Sequence, residues 1–148
     1  GARRVVVSDV NDERLALAER LGASLTINPA RESLAGAMAA LGMSNGIDVG
    51  LEMSGSPEAF GQMLAAMYHG GGIALLGFLP PETRIDWDQV IFKGLTLRGI
   101  YGREMFATWQ RMSQLLRSGL DRYPADDFHA AFETVRAGRC GKVILEWA

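Results

Sequence analysis

The sequence predicts an α/β protein built on a doubly wound parallel sheet. Three observations predict it. Short β-branched apolar runs alternate with amphipathic stretches. Each such pair spans about two dozen residues, the repeat of a strand–helix unit. Glycine is abundant, with 18 in 148 residues, and falls where a helix should stop or a strand should turn.

Arg4 to Val7 reads as the first buried strand. Asn11 or Asp12 caps a helix that runs to Leu21, with Leu15, Ala18 and Leu21 on one face and Gly22 as its stop. Leu25 to Ile27 is a second strand, ended by Asn28-Pro29. Arg31 to Leu41 is a helix with Leu34, Met38 and Leu41 inward, closed by Gly42. Val49 to Met53 is a third strand. Ser56-Pro57-Glu58 then supplies a cap, a proline at the first helical position and an early acid. That helix is expected to reach about Tyr68 and to end in Gly70-Gly71-Gly72, before a fourth strand from Ile73 to Leu76. After Pro80-Pro81, Asp88 to Lys93 reads as a short helix and Leu95 to Ile100 as a fifth strand. Glu104 to Arg117 is a long amphipathic helix carrying Phe106, Trp109, Met112 and Leu116. Asp126 to Ala137 is a last helix, and Lys142 to Trp147 a last strand. The alternation resets at Gly119 to Pro124, the one boundary expected.

Composition excludes several classes. Hydrophobic residues make up 48% and charged residues 22%, which supports a packed core rather than disorder. A net charge of −2 gives no general attraction to nucleic acid or to an anionic membrane. The single cysteine, Cys140, rules out an internal disulfide. No apolar run approaches the roughly 20 residues of a membrane span, and GARRVVVSDV does not read as a signal peptide. A soluble, cytoplasmic protein is expected.

Parallel sheets bind ligands at the carboxyl ends of their strands. The first such end carries Asp9. Two roles are open to it: accepting hydrogen bonds from the adenosine ribose of a dinucleotide, which would repel a 2′-phosphate, or helping to cap the next helix. Arg14, one turn on, could reach the same ribose. The third strand ends in Met53-Ser54-Gly55-Ser56, a small turn that could admit a ligand to the backbone or merely be tight. The fourth ends in Leu76-Gly77-Phe78, with Phe78 as an apolar wall for an aromatic ring. The fifth ends in Ile100-Tyr101-Gly102-Arg103. His69 reads as a solvent-facing helix end, and His129 as a surface residue. Cys140 reads as structural. Glu52 could be a buried acid, but in a strand it reads rather as paired with a neighbour. Asp12, Glu13, Glu19 and Arg20 read as a solvated helix face. No histidine has metal-ligand spacing to a cysteine or carboxylate, and no catalytic or metal-binding residue is expected in this chain.

The opening VVVSDVNDERLALAERLGA resembles the second β-α unit of the zinc-dependent medium-chain alcohol dehydrogenase superfamily, and IDVGLEMSG and HGGGIALLGF fit it. IDWDQVIFKGLTLRGIYGREMFATW and GRCGKVILEW resemble, more specifically, the L-threonine 3-dehydrogenase family within it. The resemblance covers essentially the whole chain.

That resemblance implies a Rossmann-like cofactor domain over 1–121. Residues 122–148 would pack on a catalytic domain that this chain lacks. The first strand and its glycine fingerprint would be missing too. It implies NAD as cofactor, zinc bound by residues outside this chain, L-threonine as substrate and a homotetramer. Asp9 and Arg14 match the positions that hold the adenosine ribose. Leu76, Gly77 and Phe78 match the stretch beside the nicotinamide, and Ile100 and Tyr101 a second lining stretch. Several residues, with a strand and a histidine, are expected to be missing between Asp121 and Arg122. Alone, the chain is expected to be inactive. Another zinc-dependent polyol or secondary-alcohol dehydrogenase, or a non-catalytic nucleotide-binding or oligomerisation module, are the other readings.

Overall fold

Local capping chemistry places the helices of the computed structural model, which describes residues 1–102, 104–115, 121–140 and 142–147. Asn11 caps α1 (Asp12–Arg20), its side chain accepting from the backbone N–H groups of Glu13 and Arg14. Such a cap contributes about 1 kcal/mol. Ser56 does the same for α3 (Pro57–Ala66), accepting from Ala59 N–H with Pro57 in the first turn. Asp86 caps α4 (Trp87–Phe92) through Gln89 N–H. All three caps stand where Ser, Asn or Asp precedes an amphipathic run.

The described residues divide into two compact units, one from 1–33 and 103–148, the other from 34–102. In the first, β1 (Val6–Ser8) pairs in parallel with β2 (Leu25–Ile27), and α1 packs on the pair through buried Leu15. Later come α5 (Ala107–Leu115), β6 (Asp121–Pro124), a 3-10 turn at Ala125–Asp127, α6 (Phe128–Arg136) and β7 (Val143–Glu146). Strands β6 and β7 pair in parallel, Asp121 opposite Val143. Asn11 Nδ2 donates to Gly138 O at 3.4 Å, tying the start of α1 to the end of α6.

The second unit holds α2 (Leu34–Ala40), β3 (Ile47–Glu52), α3, β4 (Met67–Leu75), α4 and β5 (Thr96–Gly99). Its sheet is parallel throughout, in the order β3-β4-β5. Phe60, Leu64, Met67 and Ile73 form its core, with Met63, Val90 and Leu97 packed around them. Helical crossovers joining parallel strands are what the alternating pattern predicts, and the expected α/β class with parallel pairing holds.

Boundaries differ where tertiary contacts intervene. Helix α3 stops at Ala66 rather than near Tyr68, and β4 begins at Met67 and runs through the three glycines. Lys93 explains the early stop. Its Nζ donates to Leu64 O at 2.7 Å and Ala65 O at 2.8 Å, satisfying carbonyls that a helix end leaves open. Met67 is then free to turn into the core. His69 therefore lies in a strand, exposed, its ring edge-on to Tyr68, and not at a helix end.

Helix α2 begins at Leu34, because Arg31 and Glu32 donate their N–H groups to Asn28 O in a turn. Helix α5 begins at Ala107, after a turn in which Phe106 adopts φ 71°; the expected continuation through Leu116 and Arg117 lies outside the described residues. No strand is expected at Asp121–Pro124, yet β6 forms there. Its partner β7 decides it, helped by a 2.8 Å ion pair from Arg122 to Glu146.

Candidate functional site

The first candidate position is the end of β1. Asp9 N–H donates to Ile27 O, extending the β1–β2 ladder by one bond. Asp9 Oδ1 accepts from Asn11 N–H at 2.9 Å. The helix cap proper is Asn11, so Asp9 supports the cap without being it. The other oxygen, Oδ2, faces Arg14 Nη1 at 3.6 Å, beyond hydrogen-bond length. Arg14 is half exposed, whereas Arg31 is engaged with Asp12. Hydrogen bonds from Asn28, and then from Arg31, hold the Asp12 carboxyl below the usual carboxylate range. Of the two arginines, Arg14 is the one that addresses Asp9. The pair offers one free carboxylate oxygen and one fork of N–H donors at the open end of a parallel strand, which suits a ribose hydroxyl.

The second candidate position lies in the other unit, where β3, β4 and β5 end. The turn after β3 is built by Glu52. Its Oε1 accepts from Ser54 N–H (2.8 Å), Ser54 Oγ (2.6 Å) and Gly55 N–H (2.9 Å). Its backbone carbonyl accepts from Leu76 N–H and Gly77 N–H, at the start of the turn after β4. The two turns touch. Gly55 stands at φ 69°, and a Cβ there would meet Phe78 O at 2.7 Å. A Cβ on Gly77 would collide with Glu52 Oε2 and Gly55 N. Both glycines are therefore required by close approach, and Gly55 also by its positive φ.

Beyond these turns the edge is open and apolar. Phe78 is 85% and Tyr101 93% exposed, with Leu76 and Ile100 also exposed. A flat aromatic ligand would find backbone and apolar side chains there. The structure thus gathers Leu76, Gly77, Phe78, Ile100 and Tyr101 at one sheet edge, and joins Asp9 with Arg14 at another. Arg103 lies outside the described residues.

Glu52, open in sequence to being a buried acid, is the residue whose partners sequence reasoning missed. It is a buried acid, 1% exposed, but it pairs with its own turn and, among the described residues, with no cation. Its Oε2 has no hydrogen-bond partner among the described residues, and such an atom costs about 1–3 kcal/mol. The signal was an acid at an inward position of β3, two residues after Gly50. His129 is exposed and stacked on Phe128, and Cys140 is buried, as expected for both. Gly141 beside it lies outside the described residues. Among the described residues no helix is long and apolar enough to cross a membrane. Nor do they hold a group of three His, Cys, Asp or Glu side chains able to bind a metal. Zinc fits no site among them.

Residues 1–118 match the family described as zinc-binding dehydrogenase. The L-threonine 3-dehydrogenase of Anaeromyxobacter sp. strain Fw109-5 is 56% identical over 99% of this chain and 45% of its own length. The chain thus spans less than half the length of that relative. The match runs over 154 positions against 148 residues here, so the relative carries residues with no counterpart in this chain. The benzyl alcohol dehydrogenase of Acinetobacter calcoaceticus superposes with a TM-score of 0.80 at 26% identity, covering 100% of this chain and 44% of its own. A Sinorhizobium meliloti structure, described as a zinc-binding dehydrogenase bound to NADP, has a TM-score of 0.61 at 28% identity. It covers 68% of this chain and 31% of its own.

Proposed function

Because this chain belongs to the zinc-binding dehydrogenase family, we propose that it is the cofactor-binding part of an NAD-dependent L-threonine 3-dehydrogenase. The intact enzyme would oxidise the secondary hydroxyl of L-threonine to 2-amino-3-oxobutanoate, in threonine catabolism in the cytoplasm. The observation that carries the substrate is the 56% identity spread over 99% of the chain. The cofactor reading is supported by the two strand-end positions. When bound, the nicotinamide supplies the hydride acceptor. In this reading Asp9 and Arg14 hold the adenosine ribose. Leu76, Gly77 and Phe78 present backbone and an apolar wall to the nicotinamide, with Ile100 and Tyr101 as the second wall. Residues 1–121 form the cofactor domain, and 122–148 pack on the catalytic domain, which supplies the zinc and the proton relay.

The test is a transplant. This chain replaces the matching 45% of the Anaeromyxobacter enzyme, and NADH formation is followed with L-threonine and with simple polyols. Zinc-dependent oxidation of L-threonine is the expected result. A folded chimera that oxidises only a polyol, or that binds no cofactor, overturns the assignment.

The same reading includes a homotetramer, assembled in part edge to edge through β5. This strand is outermost in its sheet. Ile100 N–H donates inward to Leu75 O, so strand alternation turns the Leu97 and Gly99 N–H groups toward the open edge. Leu97→Pro removes one outward donor and leaves the inward-facing donors in place. Light scattering on the folded variant is expected to show a smaller assembly than the parent; an unchanged mass counts against the β5 interface.

A further inference from the structure

We propose that Glu52 is a positioning residue for the cofactor, its buried carboxylate fixing the turn after β3 and, through it, the Leu76–Phe78 stretch after β4. The proposal rests on the reading of that stretch as the nicotinamide wall. Glu52 lies on the inward face of β3, where Gly50 packs against Met63 and Ile73. Only Asn28 and Glu52 are buried polar or charged residues among those described. A position selected for packing alone would hold an apolar side chain. An acid with one unpartnered oxygen breaks that rule, and such breaks concentrate where function sets the geometry.

Glu52 holds two turns with two different groups. Three donors from Ser54 and Gly55 converge on Oε1. The backbone carbonyl takes Leu76 and Gly77. The remaining oxygen, Oε2, lies against Gly77, in the space a Cβ would need. The backbone of Gly77 can therefore come no closer to β3, and Phe78 O is seated over Gly55. The carboxylate thereby fixes where the Leu76–Phe78 backbone stands without reaching the surface itself, so it acts on a ligand only through the turn.

The experiment measures NADH and ADP-ribose binding to this chain by fluorescence and calorimetry. The forms compared are the parent, Glu52→Gln, Glu52→Met and Ser54→Ala. ADP-ribose carries the adenosine end and lacks the nicotinamide. Glu52→Met keeps the bulk and removes the acceptor. It is expected to weaken NADH about tenfold while ADP-ribose stays within about twofold. Glu52→Gln retains an acceptor oxygen and is expected to restore most of the NADH affinity. Ser54→Ala removes one donor and should weaken NADH about threefold, again sparing ADP-ribose. If Glu52→Met does not fold, Ser54→Ala decides alone. Equal loss of both ligands, or no loss of NADH in Ser54→Ala and Glu52→Met, overturns the positioning role. A folded parent that binds neither ligand overturns the functional reading, and this role with it.

Discussion

Replacing Phe60 with alanine is expected to destabilise the 34–102 unit by about 3–5 kcal/mol, a large share of the roughly 5–15 kcal/mol typical of a whole domain. Phe60 lies on α3, one turn past the Ser56 cap, and is 1% exposed. Leu64 follows four residues later on the same helical face, and both meet Met67 and Ile73. Met67 and Ile73 belong to β4, which is hydrogen-bonded on both sides by β3 and β5. A central strand clamped in this way cannot move in to close a void, so a cavity remains and its lining loses contacts outright. Urea unfolding of the Phe60→Ala variant measures the effect, with Phe92→Ala as a comparison because Phe92 is exposed. A loss under about 1 kcal/mol in Phe60→Ala would show that the core closes over the missing ring and is looser than described.

The second large effect is expected at Asp9. In the intact enzyme Asp9→Gly should weaken NAD by roughly 1.5–3 kcal/mol, the worth of a charge-assisted hydrogen bond, and should favour NADP. Asp9 Oδ1 is engaged with Asn11 N–H, so in the proposed reading Oδ2 is the oxygen that would accept from a ribose hydroxyl. A 2′-phosphate in that place would meet the carboxylate as a like charge. Arg14 pulls the other way, since a guanidinium suits a phosphate. At 3.6 Å from Oδ2 it is drawn toward Asp9. Removing the carboxylate frees it. The Asn11 cap does not depend on Asp9 for its own bonds to Glu13 and Arg14, so α1 should survive the change. The measurement is kcat/KM for both cofactors in parent and variant. A parent that already prefers NADP, or a ratio that does not move, would reduce Asp9 to a support for the cap.

The legible parts of this protein were those whose cause is local. Asn11 and Ser56 announce helix starts because a side-chain oxygen satisfies a donor only two or three residues away. Leu25 to Ile27 reads as a strand and is one. The ends of elements were less legible. Tyr68 and His69 continue a helical pattern in sequence. The carbonyls that end the helix, however, are capped by Lys93, nearly thirty residues downstream. β6 has too little apolar alternation to be read alone, and exists because β7 lies beside it.

The candidate site divides along the same line. Strand order and parallel direction place Asp9, Leu76–Phe78 and Ile100–Tyr101 at carboxyl ends, and the sequence by itself determined that through its alternation of elements. What only the tertiary structure decided is which of those turns touch. Glu52 reads in sequence as a strand acid, either buried or paired with a neighbour. Its three donors are local, from Ser54 and Gly55, but its burial and the close approach of Oε2 to Gly77 follow from the register that sets the end of β3 beside the end of β4. Hydrophobic period and capping act over a few residues and are written along the chain. Close approach between two strand ends is a distance between residues far apart in sequence, and it exists only once the sheet has formed.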